Sequence, residues 1–412
     1  MEKIELDVAH LPAPPDARQA AGLRARLAAE HATGRHAWLA LPADTETIAH
    51  VLRLAQPRLG RFRHLVVIGI GGSALGLRAL VGALRRPSDW WDLHVLDTTD
   101  PWLVGDTLAR IELQDTLVVA VSKSGSTLET VAVLGVFTER LRARKLPLAD
   151  HLVVVTDPQD GPLRVFADKH GLERAEIPPA VGGRFSVLSP AALLPAALLN
   201  IDIAGIVQGA ARARRMSLEG PESADWAAQL GLAAATLAQT GSPSLVFMPY
   251  SARLRGLAPW LVQLWDESLG KEGKGQTVIA AEGPADQHAQ MQLVLDGPRD
   301  KAVLFVRLAH HENELRLNAF DWAAFGAGFL KGRTLAEVID AQWKGTAQAC
   351  TQAGRPNMTL ALPRFDAAIL GELLMGLQSA VAIAAMVLGV DAYGQPAVER
   401  GKQLSRKLLE GK

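Results

Sequence analysis

The chain has 412 residues, 49% of them hydrophobic and 21% charged, and its 43 basic residues are balanced by 43 acidic ones. Because the formal net charge is zero, no overall field attracts nucleic acid or an acidic membrane surface, and an anionic ligand needs a local site. The single cysteine, Cys350, excludes an intramolecular disulfide. The sequence shows no signal-peptide layout and no charge-free apolar run of about 18 residues, so we expect a cytoplasmic globular protein without membrane spans.

The first third of the chain alternates between strand-like and helix-like patterns. Short apolar, β-branched runs predict buried strands at residues 64–70, 93–97, 116–121 and 151–156. Helical spacing of apolar residues predicts helices at residues 73–84 and 126–145. This alternation is typical of a parallel sheet whose strands are connected by helices.

After a Pro- and Gly-rich stretch at residues 158–184, the same kind of pattern resumes. Apolar stretches follow at residues 191–200 and 224–239, and further helices are predicted at residues 254–271, 286–295, 335–352 and 367–388. Further strands are predicted at residues 244–250, 277–281 and 301–308. The sequence therefore predicts two α/β halves, joined by an irregular stretch near residues 176–220.

A cluster of hydroxyl groups lies where a predicted strand meets a predicted helix. Residues 122–127 read Ser-Lys-Ser-Gly-Ser-Thr. The free N–H groups and the positive dipole end of a helix N-terminus favour an anion, and the hydroxyls and Lys123 would complete its shell. We interpret this turn as a phosphate cradle, with a simple Ser/Thr cap of the helix as the alternative.

A glycine-rich turn, Gly-Ile-Gly-Gly-Ser-Ala-Leu-Gly at residues 69–76, follows the preceding predicted strand. A dinucleotide fingerprint is the alternative, because Asp97 ends the next strand at a suitable distance to hold a ribose, although the glycine spacing differs. Paired with the cradle, the turn predicts two neighbouring strand ends that face one small ligand at the carboxyl edge of a parallel sheet.

Six motifs stand in the order found in glucose-6-phosphate isomerases. They are GIGGSALG at 69–76, SKSGSTLET at 122–130, GGRFSVLS at 182–189, WDESLGK at 265–271, DQHAQMQL at 286–293 and YGQPAVERGK at 393–402. The chain thus resembles this family from about residue 60 to its C-terminus. The first 50 or so residues carry no motif of the family.

The resemblance implies an α/β fold of two sugar-isomerase domains, each a parallel sheet flanked by helices in the flavodoxin-like, three-layer arrangement. It implies an N-terminal segment at 1–50 that packs on the body, a first domain at 51–180 with the cradle, and a second at 181–412 with C-terminal helices. The implied activity interconverts glucose 6-phosphate and fructose 6-phosphate through ring opening and a cis-enediolate, in glycolysis and gluconeogenesis, without metal or organic cofactor.

Aldose–ketose isomerisation needs a base, stabilisation of the enediolate and a means of opening the ring. The resemblance assigns the base to Glu267, whose alternative is a helix-surface salt bridge with Lys271. It assigns enediolate stabilisation to Arg184, because a preorganised charge facing a developing oxyanion is often the largest catalytic contribution. Ring opening is assigned to His288 and Lys402, and a neutral imidazole suits this step near pH 7.

Substrate binding is expected of residues in several of these motifs and beside them. They are Gly72, Ser73, Ser122, Lys123, Ser124, Thr127, Gln263 and Gln395. Gln263 lies one turn before Glu267 on the same helical face. In the family the histidine that matches His288 reaches the active site from the partner subunit, which implies an obligate homodimer that binds a sugar phosphate and neither nucleic acid nor membrane.

The last motif departs from the family pattern. Relatives usually read Asn-Pro-Phe-Asp-Gln-Pro-Gly-Val-Glu where residues 391–399 read Asp-Ala-Tyr-Gly-Gln-Pro-Ala-Val-Glu. The spacing of Gln395 and Lys402 is kept, so the reaction is expected to survive, but the loop bears on sugar preference. Two alternatives follow: an isomerase that also accepts mannose 6-phosphate, and a phosphosugar sensor without catalysis. The joint presence of the four catalytic candidates favours turnover.

Overall fold

The structure is a computed structural model that describes residues 3–86, 90–220, 225–313 and 315–411. Ten strands are found in these residues: β1 (Glu5–Asp7), β2 (His64–Ile68), β3 (Asp92–Leu96), β4 (Thr116–Val121), β5 (Leu152–Thr156), β6 (Glu173–Glu176), β7 (Ser244–Pro249), β8 (Thr277–Ala280), β9 (Lys301–Leu308) and β10 (Asn357–Leu362).

The same residues form fifteen α-helices: α1 (Ala17–Ala32), α2 (Thr45–Ala55), α3 (Leu75–Leu84), α4 (Pro101–Arg110), α5 (Leu128–Ala143), α6 (Leu148–His151), α7 (Pro162–His170), α8 (Pro190–Leu198), α9 (Ile203–Glu219), α10 (Trp226–Gln239), α11 (Leu257–Leu269), α12 (Met291–Asp296), α13 (Leu335–Gln352), α14 (Ala367–Leu388) and α15 (Pro396–Leu409).

The strands form two five-stranded sheets. The first has the order β3-β2-β4-β5-β6 and is parallel throughout, with Ile68 of β2 opposite Ala120 of β4. The second has the order β1-β10-β9-β7-β8 and is parallel except for β1, which pairs antiparallel with β10. The predicted α/β class with two parallel sheets is therefore confirmed, and the N-terminal segment adds an edge strand to the second sheet.

Each sheet is covered on both faces, as expected for parallel strands. In β4 the side chains of Leu117 and Val119 enter one core, whereas Val118 and Ala120 enter another. The first of these cores also receives alternate side chains of β7 and β9, so it lies between the two sheets. Helices α4, α5 and α7 cover the outer face of the first sheet, and α12 and α13 cover the outer face of the second.

Helix α14 lies in the shared core. By length and composition it could cross a membrane, against the sequence expectation, but 94% of its most apolar window is buried within the protein. It packs against α9 and α10. The apolar side chains of α14 are therefore packed in the core of the protein.

Two sequence predictions are wrong. The stretch near residues 176–220 is not irregular, because it contains α8 and the 17-residue helix α9, which Asp202 caps by accepting the N–H of Gly205 at 2.8 Å. The single helix predicted at residues 286–295 is instead a 3-10 turn, Ala285–His288, followed by α12. Ala289 has φ −128° at the break, which ends the first turn.

Candidate active site

The glycine-rich turn after β2 and the cradle after β4 meet at the carboxyl edge of the first sheet. These strands are neighbours, and a Cβ atom on Gly69 would lie 3.0 Å from the carbonyl oxygen of Val121. The predicted juxtaposition of the two loops is therefore observed. The dinucleotide alternative is weakened, because the Asp97 carboxylate is paired with Arg78 at 3.0 Å.

The cradle is held by its own hydroxyl groups. The Oγ atom of Ser122 lies 2.9 Å from the Oγ1 atom of Thr127, and the Oγ atom of Ser124 lies 3.4 Å from the same Oγ1. Gly125 turns the chain with φ +68°, a conformation that glycine adopts without strain. Thr127 precedes α5, yet its side chain accepts no hydrogen bond from that helix. The hydroxyls thus group together instead of forming the simple cap considered from the sequence.

The ammonium group of Lys123 forms a hydrogen bond within the chain. Its Nζ donates to the carbonyl oxygen of Pro179 at 2.6 Å. Partial burial lowers the pKa of Lys123, and the nearby Asp157 carboxylate opposes this shift. Lys123 therefore connects the cradle to the loop after β6, and its direct contact with an anion stays a prediction.

Arg184 and Glu267 form the centre of a second cluster. The Arg184 side chain is 3% exposed, and its Nη1 lies 3.2 Å from Oε1 of Glu267. The other carboxylate oxygen, Oε2, accepts a hydrogen bond from Nε2 of Gln263 at 3.1 Å, as the shared helical face predicts. Nη1 of Arg184 also donates to Oε1 of Gln395 at 3.0 Å. Four residues predicted from the sequence thus converge.

The glycine turn also reaches this cluster. A Cβ atom on Gly72 would lie 2.1 Å from the carbonyl oxygen of Gly183, so only glycine allows the two loops to approach this closely. A Cβ atom on Gly71 would lie 2.9 Å from Nε2 of Gln263. Ser73 closes the turn, with its N–H donating to Ile70. The first sheet therefore presents its loop to the Arg184–Glu267 pair.

The proposed Glu267–Lys271 surface salt bridge is not formed. Nζ of Lys271 instead donates to the carbonyl oxygen of Ser268 at 3.0 Å and to that of Asp391. Burial, followed by the charge of Arg184, lowers the pKa of Lys271 to about 8. Lys271 therefore fastens the loop at 391–395 to α11, and Glu267 remains directed at Arg184.

His288 and Lys402 are not brought to this cluster within the described chain. His288 ends the 3-10 turn, is exposed, and has no hydrogen-bond or ionic partner among the described residues. Lys402 lies on α15, where its Nζ pairs with Glu399 of the same helix at 2.8 Å, and its side chain is 65% exposed. Every residue of α15 from 396 onward is exposed.

Four contacts of Arg184 were not predicted. Its Nε donates to Oγ of Ser268 at 2.8 Å, and its Nη2 donates to the carbonyl oxygens of Ala392, of Tyr393 at 2.9 Å and of Gly394 at 3.4 Å. Burial lowers the pKa of Arg184, and the Glu267 carboxylate opposes this shift. These residues lie within the recognised motifs or, for Ala392, directly before one, but nothing in the local sequence shows that their oxygen atoms face a guanidinium from elsewhere in the chain.

One parallel sheet and a second sheet that is parallel except for β1, both covered by helices, define an α/β fold of the phosphosugar isomerase type. The solved tagatose-6-phosphate ketose/aldose isomerase of Escherichia coli shares this fold, with a TM-score of 0.53, 14% identity and coverage of 93% of this chain and 100% of that one. Within the fold, residues 58–411 match the family model described as phosphoglucose isomerase. The chain belongs to the phosphoglucose isomerase family, which confirms the resemblance found in the sequence.

Near relatives agree with this assignment. A glucose-6-phosphate isomerase of Thermus thermophilus is 39% identical over 99% of this chain and 100% of the relative. The crystal structure of a hypothetical protein from the same organism has a TM-score of 0.91 and 38% identity, and it covers 99% of this chain and 100% of that chain. The similarity therefore includes the N-terminal segment, in which no motif was recognised.

Proposed function

We propose that this chain is an aldose–ketose isomerase that interconverts glucose 6-phosphate and fructose 6-phosphate. The observation that carries the proposal is the buried Arg184 guanidinium, 3.2 Å from the Glu267 carboxylate, beside the loop that approaches through Gly72. Glu267 supplies a base, and Arg184 supplies a fixed positive charge beside it. The hydroxyl cradle at the neighbouring strand end supplies a site for the phosphate.

The proton transfer follows from this geometry. In the open-chain aldose, Glu267 takes the proton from C2, a C1–C2 double bond forms, and the carbonyl electron pair moves to O1. The positive charge of Arg184 stabilises the resulting enediolate. Glu267 then returns the proton to C1, and a proton moves from O2 to O1, which gives the ketose. Atoms and electrons balance without another reactant.

Binding is assigned to the loops around this pair. Ser122, Ser124 and Thr127 hold the 6-phosphate, with the charge of Lys123 nearby. Gly72 and Ser73 line the sugar side of the glycine turn. Gln263 orients Glu267 through its 3.1 Å hydrogen bond, and Gln395 orients Arg184 through its 3.0 Å hydrogen bond.

Ring opening is assigned to His288 and Lys402 in a homodimer. His288 has an exposed imidazole without a partner in the described residues, which suits a role in a neighbouring subunit's site. Lys402 lies on a helix whose apolar side chains Leu404 and Leu408 are 53% and 78% exposed. Burial of these side chains against a second copy would favour association.

We also propose the organisation that the sequence predicts: a segment at 1–50, a domain at 51–180 and a domain at 181–412. The proposed enzyme acts in the cytoplasm, in glycolysis and gluconeogenesis. A sensor without catalysis would have no use for a carboxylate held by both Arg184 and Gln263. Nothing in the site favours mannose 6-phosphate as a further substrate.

A coupled assay tests the function. Purified protein supplied with fructose 6-phosphate, glucose-6-phosphate dehydrogenase and NADP⁺ should generate NADPH at a rate proportional to the amount of the chain. Mannose 6-phosphate, assayed separately, should be converted far more slowly. The absence of NADPH formation by well-folded protein would overturn the proposal.

A further inference from the structure

One loop holds most of the Arg184 guanidinium. Nη2 of Arg184 donates to the carbonyl oxygens of Ala392, Tyr393 at 2.9 Å and Gly394 at 3.4 Å, and Nη1 donates to the side chain of Gln395. The direction of the guanidinium, and hence its distance from the base, depends on where this loop lies. Whatever fixes the loop therefore fixes Arg184.

Tyr393 is the anchor of this loop in the core. Its ring packs against Phe185, with ring centroids 5.3 Å apart, and Phe185 is stacked on Trp38 at 5.4 Å. The Tyr393 hydroxyl accepts a hydrogen bond from Nε1 of Trp38 at 3.0 Å and also contacts Nδ1 of His36. The two residues that hold this hydroxyl both come from the N-terminal segment, more than 350 positions away.

The donor and the acceptor can be assigned in each hydrogen bond around the Tyr393 hydroxyl. His36 is 2% exposed, and burial lowers its pKa, which favours the neutral ring. Its Nε2 lies 3.1 Å from Oε2 of Glu30, so the N–H stands there and Nδ1 is left to accept the Tyr393 O–H. The Tyr393 oxygen then accepts the Trp38 N–H. Within this chain of contacts, Nδ1 of His36 and Nε1 of Trp38 have the tyrosine hydroxyl as their partner, and both would lose it if the hydroxyl were removed.

Arg35 adds further contacts between residues 30–38 and the loop at 391–395. Its Nη2 lies 2.9 Å from Oδ1 of Asp391, its Nε lies 3.2 Å from Oε2 of Glu30, and its guanidinium lies 5.9 Å from the Tyr393 ring centroid. The residues at 30–38 therefore hold both the start of the loop and its aromatic anchor.

We propose that Tyr393 is a positioning residue for the isomerase reaction, and that residues 30–38 serve the active site by holding its hydroxyl so that Arg184 faces Glu267. This inference rests on the proposed roles of Arg184 and Glu267. It gives the N-terminal segment a part in catalysis, although the described residues of that segment form no hydrogen bond or ion pair with Arg184 or Glu267.

The first test is Tyr393→Phe, which keeps the ring against Phe185 and removes only the hydroxyl. Because Arg184 acts on the enediolate, its misplacement should lower kcat by about tenfold, less than the about 100-fold that a 1 Å displacement can cost. KM should change by no more than about twofold, since the phosphate cradle is untouched. A variant with lower thermal stability but wild-type kcat would overturn the proposal.

A pair of His36 variants gives an independent measurement should Tyr393→Phe fold poorly. His36→Leu removes the acceptor for the tyrosine hydroxyl, whereas His36→Asn can offer an amide oxygen in the place of Nδ1. We expect kcat of His36→Asn to lie nearer to wild type than that of His36→Leu. Equal kcat values for the two variants would contradict a positioning role.

Leu141→Val is the matched control for lost stability. Leu141 is fully buried on α5, in the core on the outer face of the first sheet, and this core contains none of the residues around Arg184. The control should lower the melting temperature and leave kcat unchanged. Retained turnover in Glu267→Gln would count against the proposed function itself, whereas an inactive Glu267→Gln with a fully active Tyr393→Phe would count against the positioning role alone.

Discussion

Arg184 is a charge that the fold buries almost completely. An unpaired buried charge is strongly destabilising, and such a group persists only with excellent pairing and hydrogen bonding. Here the guanidinium donates to Ser268, Gln395 and the 392–394 carbonyls in addition to its pairing with Glu267. These contacts leave the group rigid and already desolvated, which is what stabilisation of a developing oxyanion requires.

The hydroxyl of Thr127 should matter for affinity. Hydrogen bonds to a charged group are worth about 1.5–3 kcal/mol, so Thr127→Val should raise KM for fructose 6-phosphate by about tenfold or more and change kcat less. Thr138→Val is the matched control, because Thr138 lies on α5, the helix that Thr127 precedes, and its buried hydroxyl has no partner among the described residues. Steady-state kinetics of both variants checks this, and equal KM values would contradict a phosphate contact.

Lys271 should make stability depend on pH. Its pKa is lowered to about 8 in the folded protein, below the usual value of about 10.4. Between about pH 8 and pH 10.4 the unfolded chain holds the proton more tightly, so rising pH favours the native state through this group. The free energy of unfolding of the wild type, relative to Lys271→Met, should therefore increase across this window.

Urea unfolding of both proteins at several pH values between about 7.5 and 10 measures this difference. Other groups titrate in both proteins and cancel in the comparison. A constant difference, or one that falls with pH, would contradict the buried environment assigned to Lys271.

At the scale of elements, the site is built where the loops that follow β2 and β6 of the first sheet touch. Gly72 of the first sheet approaches the 183–184 backbone so closely that a Cβ atom has no room. Gly72→Ala should separate the loops, cost about 1–3 kcal/mol through overpacking, and lower kcat/KM by about 100-fold by displacing Arg184.

Gly82→Ala is the control for this substitution. Gly82 lies in α3, and an added Cβ would meet no atom closer than 3.5 Å. Since alanine favours a helix interior over glycine by about 1 kcal/mol, this variant should be at least as stable as wild type and equally active. A Gly72→Ala enzyme with wild-type kinetics would show that the close approach is unimportant for catalysis.

The elements that could be predicted from sequence have strong periodicity. Strands β4 and β9 and helices α13 and α14 have the predicted bounds, because uniform apolar runs or long amphipathic stretches define them locally. The three-residue strand β1 was not predicted, since it exists only through its pairing with β10. Helix α9 was not predicted, because the whole stretch near residues 176–220 was interpreted as an irregular connection between the two halves.

In the candidate site, too, some residues could be predicted from the sequence and others could not. The family resemblance assigned roles to Arg184, Glu267 and Gln395, and helical spacing added Gln263. The structure brings these four residues together. The roles of His36 and Trp38 could not be predicted, because their contacts with Tyr393 join positions 357 and 355 residues apart and depend on the folded core. Sequence spacing carries no information about such tertiary partners.

At the scale of the whole molecule, assembly is expected to complete the site. If His288 is supplied by the partner subunit, mixing inactive His288→Ala chains with inactive Glu267→Gln chains should restore activity. Each heterodimer would hold one complete site of two, and so should approach about half of the wild-type activity. No recovery after verified subunit exchange would mean that each chain completes its own site.

The most direct measurement of the central claim compares Glu267→Gln with the wild type in kcat and in affinity for an open-chain, phosphate-bearing enediolate mimic. Glutamine keeps the shape of glutamate and loses its basicity, so kcat should fall by about 10²–10⁴-fold, the usual contribution of a general base. The dissociation constant of the mimic should stay close to that of the wild type, because Arg184 and the cradle remain. Near wild-type turnover by Glu267→Gln would contradict the account.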